Sequence, residues 1–162
     1  MAELLRGIPV DFEPKRKNRF ILEFPTELGI EVWKVMSATR PKLKINPVEV
    51  HWINTVNYVA GKGSWDAMDI EFIDTQGPST STQLMEWVRL EFESLTGRMG
   101  YAAGYKKTLI LKSLDPTGVE VEKWELRECM ITNIDFGDND HSDDGLQTVK
   151  ITVQPFMCIH NY

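Results

Sequence analysis

The chain has 162 residues, of which 42% are hydrophobic, so it is long enough to bury the core of one compact domain. Its 18 basic and 24 acidic residues give a formal net charge of −6, which disfavours a protein that neutralises nucleic-acid phosphates over an extended surface. The sequence predicts no membrane span, because its apolar runs fall far short of ~20 residues. Cys129 and Cys158 are too few for a disulfide framework, which indicates synthesis in a reducing cytoplasm.

The N-terminal segment, residues 1–17, is proline-punctuated and basic, and it ends in Lys15, Arg16 and Lys17. Such a segment cannot bury itself, so we expect an N-terminal arm that orders only against a partner. The remaining residues, 18–162, are predicted to form a single β-domain.

The first strands are predicted at residues 19–24 and 31–36, and the longest at residues 48–59, because apolar and polar side chains alternate there. Its predicted apolar face consists of Val48, Val50, Trp52, Val56 and Tyr58. Its predicted polar face consists of Glu49, His51, Thr55 and Asn57.

A turn is predicted at Gly61-Lys62-Gly63-Ser64, followed by a partner strand at residues 68–72. In that strand Met68, Ile70 and Phe72 alternate with Asp69 and Glu71. The two strands are therefore expected to pair as a long hairpin with one wet, acidic side.

One helix is predicted between Thr82 and Gly97, with N-caps among residues 80–82 and a left-handed glycine stop. Its predicted core stripe is Leu84, Met85, Val88, Phe92 and Leu95. Its opposite face carries Glu86, Arg89, Leu90 and Glu93.

Further strands are predicted at residues 105–114, 119–126, 130–136 and 149–157, giving seven or eight in total. Within 119–126 the apolar parity slips, which predicts a β-bulge near Lys123. The last two strands are joined by an acidic loop.

Five aspartates in or beside that loop raise the alternative of a calcium-dependent binding module: Asp135, Asp138, Asp140, Asp143 and Asp144. An EF-hand would need glycine and glutamate where Asp143 and Val149 stand, so a solvated loop is favoured. The dispersed histidines form no catalytic or metal-binding motif, and neither an enzyme nor a cofactor is predicted.

Several segments carry a resemblance to a known family. They are Asn57-Tyr58-Val59-Ala60-Gly61, Ser64-Trp65-Asp66, Met85-Glu86-Trp87, Trp124-Glu125-Leu126 and the closing strand from Gln147 to Val153. In this order, over residues 18–160, the sequence resembles the tail tube proteins of contractile-tailed bacteriophages.

The resemblance implies a mainly β, α+β fold: an antiparallel β-sandwich or open barrel of seven to eight strands, with one packed helix and a long hairpin. It implies a structural subunit whose homohexameric rings stack into a hollow conduit for DNA ejection, located in the tail of the virion. The implied partners are further copies of the chain, the tail sheath, the tape-measure and baseplate proteins, and transiting DNA bound without sequence specificity. A baseplate tube-initiator and a secretion-system tube remain alternatives.

Candidate site residues follow from these patterns and from the resemblance. Lumen-facing candidates are Glu49, Asp69 and Glu71, whose like charge would keep DNA from adhering to the wall. Sheath-facing candidates are Glu86, Leu90 and Glu93. Inter-subunit candidates are Lys15, Arg16, Lys17, Trp52 and Tyr58, and self-association is expected through residues 44–74 and the arm.

Overall fold

The computed structural model describes residues 7–161, so the first six residues of the predicted arm lie outside the described residues. Within that range there are nine strands, two α-helices and two short 3-10 helices. The strands are β1 (Phe20–Glu23), β2 (Val35–Ala38), β3 (Leu43–Trp52), β4 (Thr55–Trp65), β5 (Met68–Ile73), β6 (Lys107–Leu114), β7 (Glu120–Asp135), β8 (Thr148–Gln154) and β9 (Met157–Asn161). The α-helices are α1 (Thr80–Glu91) and α2 (Ala102–Tyr105), and the 3-10 helices are Thr26–Leu28 and Val32–Lys34.

Seven strands form one antiparallel sheet in the order β1-β6-β7-β8-β5-β2, with β9 also pairing β7. Strands β8 and β9 pair one after the other with the same edge of β7. Gln154 of β8 pairs with Met130, and Met157 of β9 pairs with Arg127. The two edge strands, β1 and β2, approach each other, but no pairing joins them within residues 7–161. This confirms the predicted class of antiparallel open barrel with one main helix.

Residues 7–161 contain nine strands, whereas seven or eight were predicted, because the strand boundaries differ from the predicted ones at three places. The strand predicted at residues 48–59 is divided between β3 and β4 by a two-residue turn at Ile53 and Asn54. The strands predicted at 119–126 and 130–136 are one continuous strand, β7. The strand predicted at 149–157 is interrupted after Gln154.

The core lies against the inward faces of β5 and β8, where the apolar residues of their alternating patterns are buried. Met68, Ile70 and Phe72 are buried on β5, as predicted. Val149, Ile151 and Val153 are buried on the neighbouring strand β8. Burying each such side chain stabilises the fold by about 1.5–3 kcal/mol.

Helix α1 closes one side of the core. Ser79 is its N-cap, and the Ser79 hydroxyl accepts a hydrogen bond from the Thr82 backbone N–H at 3.4 Å. Leu84 and Trp87 are buried, and the Trp87 indole donates to the Tyr105 carbonyl at 2.7 Å. The predicted core stripe was therefore partly wrong, since it did not include Trp87, which is fully buried.

The predicted C-terminus of the helix was also wrong. The helix ends at Glu91, and Phe92 forms a β-bridge with Met99 instead of another helical turn. Leu95 is 91% exposed, so it is not a core residue, and Phe92 is also exposed. Glu93 consequently lies beyond the helix rather than on its outer face.

The predicted hairpin partner was wrong as well. The hairpin consists of β3 and β4, whereas β5 pairs with β2 and β8. The stretch Gly61-Lys62-Gly63-Ser64 lies inside β4 at a register shift. A Cβ on Gly61 would come within 2.6 Å of the Asn46 carbonyl oxygen. Glycine is therefore needed at this irregularity for close approach of two backbones, and not for a turn.

The turn at Ile53 and Asn54 also changes which residues share a face. Glu49 pairs with Tyr58, and Val48 pairs with Val59, and directly paired residues project to the same side. Tyr58 and Val56 therefore lie with Glu49 and His51, and not with Val48 as predicted.

The β-bulge predicted near Lys123 is present two residues earlier. Ser113 pairs with Glu122, and the next residue, Leu114, pairs with Glu120, so β7 has one extra residue there. The consequence is that Glu122 is turned inward and buried.

Candidate assembly surfaces

The hairpin of β3 and β4, hereafter the ribbon, is the most exposed part of the fold. Every residue from 43 to 64 is exposed, and the ribbon forms its own two-stranded sheet. Its base is held by the Asp66 backbone N–H, which donates to the Lys42 carbonyl at 3.0 Å. The amide of Gln154 donates to the Trp65 carbonyl at 2.7 Å. With about 3.3 Å per residue, the ribbon extends roughly 30 Å from this base.

Apolar side chains occupy both faces of the ribbon. Val48, Val50 and Trp52 lie on one face, and Val56 and Tyr58 on the other. All five are exposed, Trp52 to 72% and Tyr58 to 60%. The structure thus brings the two predicted inter-subunit residues of this region onto one projecting element, on opposite faces.

The tip of the ribbon contains an unfavourable residue. Ile53 has φ of 47° and is 85% exposed. A β-branched residue in the left-handed region is strained, and such strain is commonly kept where a residue has a function. Ile53 was not among the predicted functional residues, because the turn was predicted at Gly61-Lys62-Gly63-Ser64.

The outer face of β5 and β8 carries two of the lumen candidates. Asp69 is opposite Thr152, which donates to its carboxylate at 2.8 Å, and Glu71 is opposite Lys150. Asp135 of β7 also pairs with Lys150, so the same face carries Asp69, Glu71, Asp135 and Lys150. The alternation of Lys150 with buried Val149 and Ile151 is the signal that could have found this extension of the face.

Glu49, the third lumen candidate, is not on that face. It lies on the ribbon, where it is 3.3 Å from the His51 imidazole. Because β5 does not pair with β3, the single acidic surface predicted from Glu49, Asp69 and Glu71 is divided between two separate elements.

The sheath-facing candidates are only partly together. Glu86 and Leu90 are exposed on α1. Glu93 lies after the helix, where its backbone N–H donates to the Arg98 carbonyl at 2.9 Å. The segment after α1 contributes exposed apolar side chains that were predicted to be buried or were not considered: Phe92, Leu95, Met99 and Tyr101.

The three basic candidates of the arm have different roles. Lys15 makes an ion pair with buried Glu122, and Arg40 reaches the same carboxylate at 2.7 Å. Arg16 and Lys17 make no ion pair with any residue in the part of the chain that the structure describes. Lys15 therefore fastens the arm to its own domain, whereas Arg16 and Lys17 are available to another molecule.

Glu122 is the electrostatic centre of this attachment. Burial by itself raises the pKa of its carboxyl, but hydrogen bonds from Lys15, Trp124 and Arg40 outweigh burial and lower the pKa to about 2. The Trp124 indole donates to Glu122 at 2.5 Å, and the His160 imidazole lies 3.5 Å from the same oxygen. Glu122 is charged at neutral pH and holds the arm through that charge.

The aspartate loop uses its carboxylates locally. Asp135 accepts a hydrogen bond from the Gly137 backbone N–H, Asp140 accepts from Ser142, and Asp143 accepts from Gly145. Across residues 7–161, no three His, Cys, Asp or Glu side chains come together as a group that could hold a metal ion. The calcium alternative depends on such a group.

The described part of the chain contains no helix long and apolar enough to span a membrane. Both cysteines are buried, and burial raises the pKa of the Cys129 thiol to about 12 and that of the Cys158 thiol to about 11. Neither thiol is therefore ionised to a useful extent near neutral pH.

Comparison with known proteins identifies the class of this fold. A chain in the cryo-EM structure of the anti-feeding prophage cap, a tube terminating cap, has a TM-score of 0.75 and 16% identity, with 99% of each chain covered. A chain of the PVC sheath/tube terminator, from an extracellular contractile injection system, has a TM-score of 0.76 and 13% identity. The match covers 94% of this chain and 100% of that chain.

A chain of the PVC sheath-tube complex in the extended state has a TM-score of 0.73 and 14% identity, covering 94% of this chain and 93% of that chain. No protein-family model and no curated protein matches the sequence. At these identities the similarity defines a fold, and that fold is the one found in tube and tube-terminator structures of contractile injection systems. The predicted resemblance to tail tube proteins is thereby confirmed as a resemblance of fold.

Proposed function

We propose that this protein is a non-enzymatic structural subunit that polymerises with copies of itself into the tube of a contractile tail or injection system. The observation that carries the proposal is the ribbon, whose apolar side chains are exposed on both faces. An isolated two-stranded hairpin is marginally stable in water, and exposed apolar surface of this extent marks an interaction site. The shared fold with tube and terminator chains supports the same role.

A second copy is the favoured partner of the ribbon. Each strand of the ribbon has one outer edge without a pairing strand in the described chain, and such edges pair readily with other strands. Repetition of one contact around a closed ring covers every edge, whereas an unclosed repeat would leave some exposed. We propose rings of six copies that stack into a hollow conduit.

The finer assignment is the tail tube of a contractile-tailed bacteriophage, synthesised in the host cytoplasm and incorporated into the tail of the virion. In that assignment DNA passes through the conduit without sequence-specific contacts, and the tape-measure and baseplate proteins are the further partners. A tube-initiating baseplate protein and a secretion-system tube are the alternatives within the same class.

We assign the outer face of β5 and β8 to the lumen. Asp69 and Glu71 project away from the buried core, and Asp135 adds a third carboxylate beside them. Although Lys150 also lies on this face, the three carboxylates leave it net negative, and a negative wall weakly repels the phosphates of passing DNA. Glu49 lies on the ribbon and not on this face, so we propose a lumen role for it separately.

The experiment that tests polymerisation is negative-stain electron microscopy combined with sedimentation of the purified protein. Tubes of uniform width support a tube subunit, and single rings support an initiator or terminator. Trp52→Glu and Tyr58→Glu place a charge on opposite faces of the ribbon, so each reports on one face. We expect at least one of them to remain folded and to lose assembly.

The matched control is Leu146→Glu, which places the same charge at a 74% exposed leucine in the loop between β7 and β8. This variant is expected to assemble like the wild type. If both ribbon variants form normal tubes, the ribbon is not the assembly element.

We further propose that Glu86 and Leu90 of α1, with Glu93 after the helix, contact the tail sheath. An acidic surface with exposed apolar side chains fits a basic, amphipathic partner segment. The double variant Glu86→Lys with Glu93→Lys should spare tube formation and weaken sheath assembly in a salt-sensitive manner. Sheathed tails of normal yield and salt dependence from this variant would contradict the assignment.

A further inference from the structure

A cavity of about 540 Å³ lies at the opening of the barrel, between the edge strands β1 and β2. Its apolar wall is formed by Phe20, Met36, Ala38 and Leu111. This volume is within the roughly 300–1,000 Å³ range of sites that receive ligands. The opening of the barrel therefore offers an apolar site large enough for several side chains.

The rim of this cavity is strongly basic. Lys15, Arg16, Lys17 and Arg40 all line it. Buried Glu122 engages two of them, Lys15 and Arg40, and thereby holds the arm and the segment after β2 on the cavity. Arg16 and Lys17 keep their charge unpaired against residues 7–161. The site thus combines apolar walls with a positive rim, and its matching ligand is apolar and acidic.

The chain itself carries a segment with this chemistry. Residues 9–12 form a turn in which the Phe12 backbone N–H donates to the Pro9 carbonyl at 3.2 Å. The two residues at the tip of the turn are Val10 and Asp11. Val10 is fully exposed, and Phe12 is 60% exposed. The turn therefore presents an apolar knob beside a carboxylate, and neither Val10 nor Phe12 is covered by the domain that carries it.

We propose that the turn at residues 9–12 of one copy docks into the cavity between β1 and β2 of a second copy, with Val10 against the apolar wall and Asp11 against Arg16 and Lys17. This inference rests on the proposed self-assembly and names the partner of the arm. A site for a small molecule would not account for the exposed apolar turn, whereas docking between copies covers the cavity and the turn together.

Disulfide trapping in the assembled full-length protein tests the docking. The variant Val10→Cys with Met36→Cys places one thiol on the turn and one on the cavity wall. Oxidation is expected to give covalent multimers, about tenfold more than the control Val10→Cys with Leu146→Cys gives, because docking raises the local thiol concentration. The native thiols contribute little background because both are buried.

Charge exchange gives the second, independent measurement. Asp11→Lys and Lys17→Asp should each weaken association about tenfold in sedimentation, and the double variant should recover most of that loss. Arg98→Asp, an exposed cation outside the cavity, is the control and should leave association unchanged.

Covalent multimers and recovery by charge exchange support the docking. An internal disulfide within a monomer would show that the arm fills its own cavity, and normal tubes without cross-links would show that the cavity is not an assembly site; either result overturns the inference. Cross-linked dimers in a protein that never forms tubes or rings would leave the docking valid and contradict the proposed function.

Discussion

In β5, Met68, Ile70 and Phe72 alternate with polar residues and are buried, whereas in the ribbon a similar alternation leaves every side chain from 43 to 64 exposed. The two regions have comparable strand composition, but β5 has a neighbouring strand on each side and a core beneath it. The ribbon has neither within the described chain. Alternation therefore marks an apolar strand face, and it does not specify whether the same chain covers that face.

The sharpest test of this comparison removes one aromatic ring from each region. Phe72 is buried and packs on Phe24 with ring centroids 5.5 Å apart, so Phe72→Ala should lower the free energy of unfolding by about 3–5 kcal/mol. Tyr58→Ala should change it by less than about 0.5 kcal/mol. Urea denaturation of unassembled protein measures both. Equal losses in the two variants would mean that the ribbon belongs to the folding unit of the body.

The second test concerns the charge that ties the arm to the body. Glu122→Gln should lower the free energy of unfolding by about 2 kcal/mol at neutral pH, because the cations around it lose a charged acceptor. Glu120→Gln, two residues away and exposed, should cost less than about 0.5 kcal/mol.

The pH dependence gives the sign of this effect. The pKa of Glu122 is lowered from 4.5 to about 2 in the fold, so its stabilisation is complete above pH 4.5 and is lost as the pH falls toward 2. The difference between wild type and Glu122→Gln should shrink over that interval in thermal melts. A difference that is constant from pH 7 to about pH 2 would contradict the ionic attachment.

The third test uses the strained tip of the ribbon. Ile53→Gly removes the cost of a β-branched residue at φ of 47°, so the ribbon should become more stable by about 1 kcal/mol, measured by hydrogen exchange of its amides. Val50→Gly, inside β3, should instead destabilise the ribbon. If Ile53 contacts another copy, Ile53→Gly should also assemble less well although its free subunit is more stable. Unchanged assembly would remove the functional explanation for the strain.

The smallest expected effect on folding is that of charge on the outer face of β5. Asp69→Lys with Glu71→Lys should fold and lose about 1 kcal/mol or less, mainly because lysine at 71 lies opposite Lys150. In an assembled particle the same variant should slow DNA passage, most strongly at low salt. A variant that fails to fold would show that these side chains are not on a solvated face, and normal passage at low salt would contradict the lumen assignment.

The sequence predicted the elements whose pattern and partner are both local. The alternation of Met68, Ile70 and Phe72 located β5, and the serine and threonine cluster before residue 82 located the start of α1 to within two residues. The end of α1 was not predictable, because Phe92 and Leu95 continue the apolar period of the helix but follow it on an exposed segment.

The pairing of strands was predicted less well, because it depends on contacts that no local pattern encodes. The stretch Gly61-Lys62-Gly63 has a composition typical of a turn, but it lies inside β4. Glycine stands at position 61 because the Asn46 carbonyl oxygen approaches it closely. The true turn contains Ile53, a residue type that turns disfavour. The cavity between β1 and β2 was equally inaccessible to prediction, since it is assembled from three distant segments of the chain.

The contact at Gly61 has a geometric consequence for any assembly of this chain. The register shift beside it bends the base of the ribbon, and no side chain can be inserted there without moving the two backbones apart. The direction of the ribbon relative to the body therefore depends on this backbone contact together with the Gln154 amide that holds the Trp65 carbonyl. In a structure built by repeating one contact, a deviation of a few degrees per subunit accumulates. Such a deviation decides whether the subunits close into a ring or form an open helix. A single glycine thus contributes to an angle that any assembly built by repeating one contact would multiply.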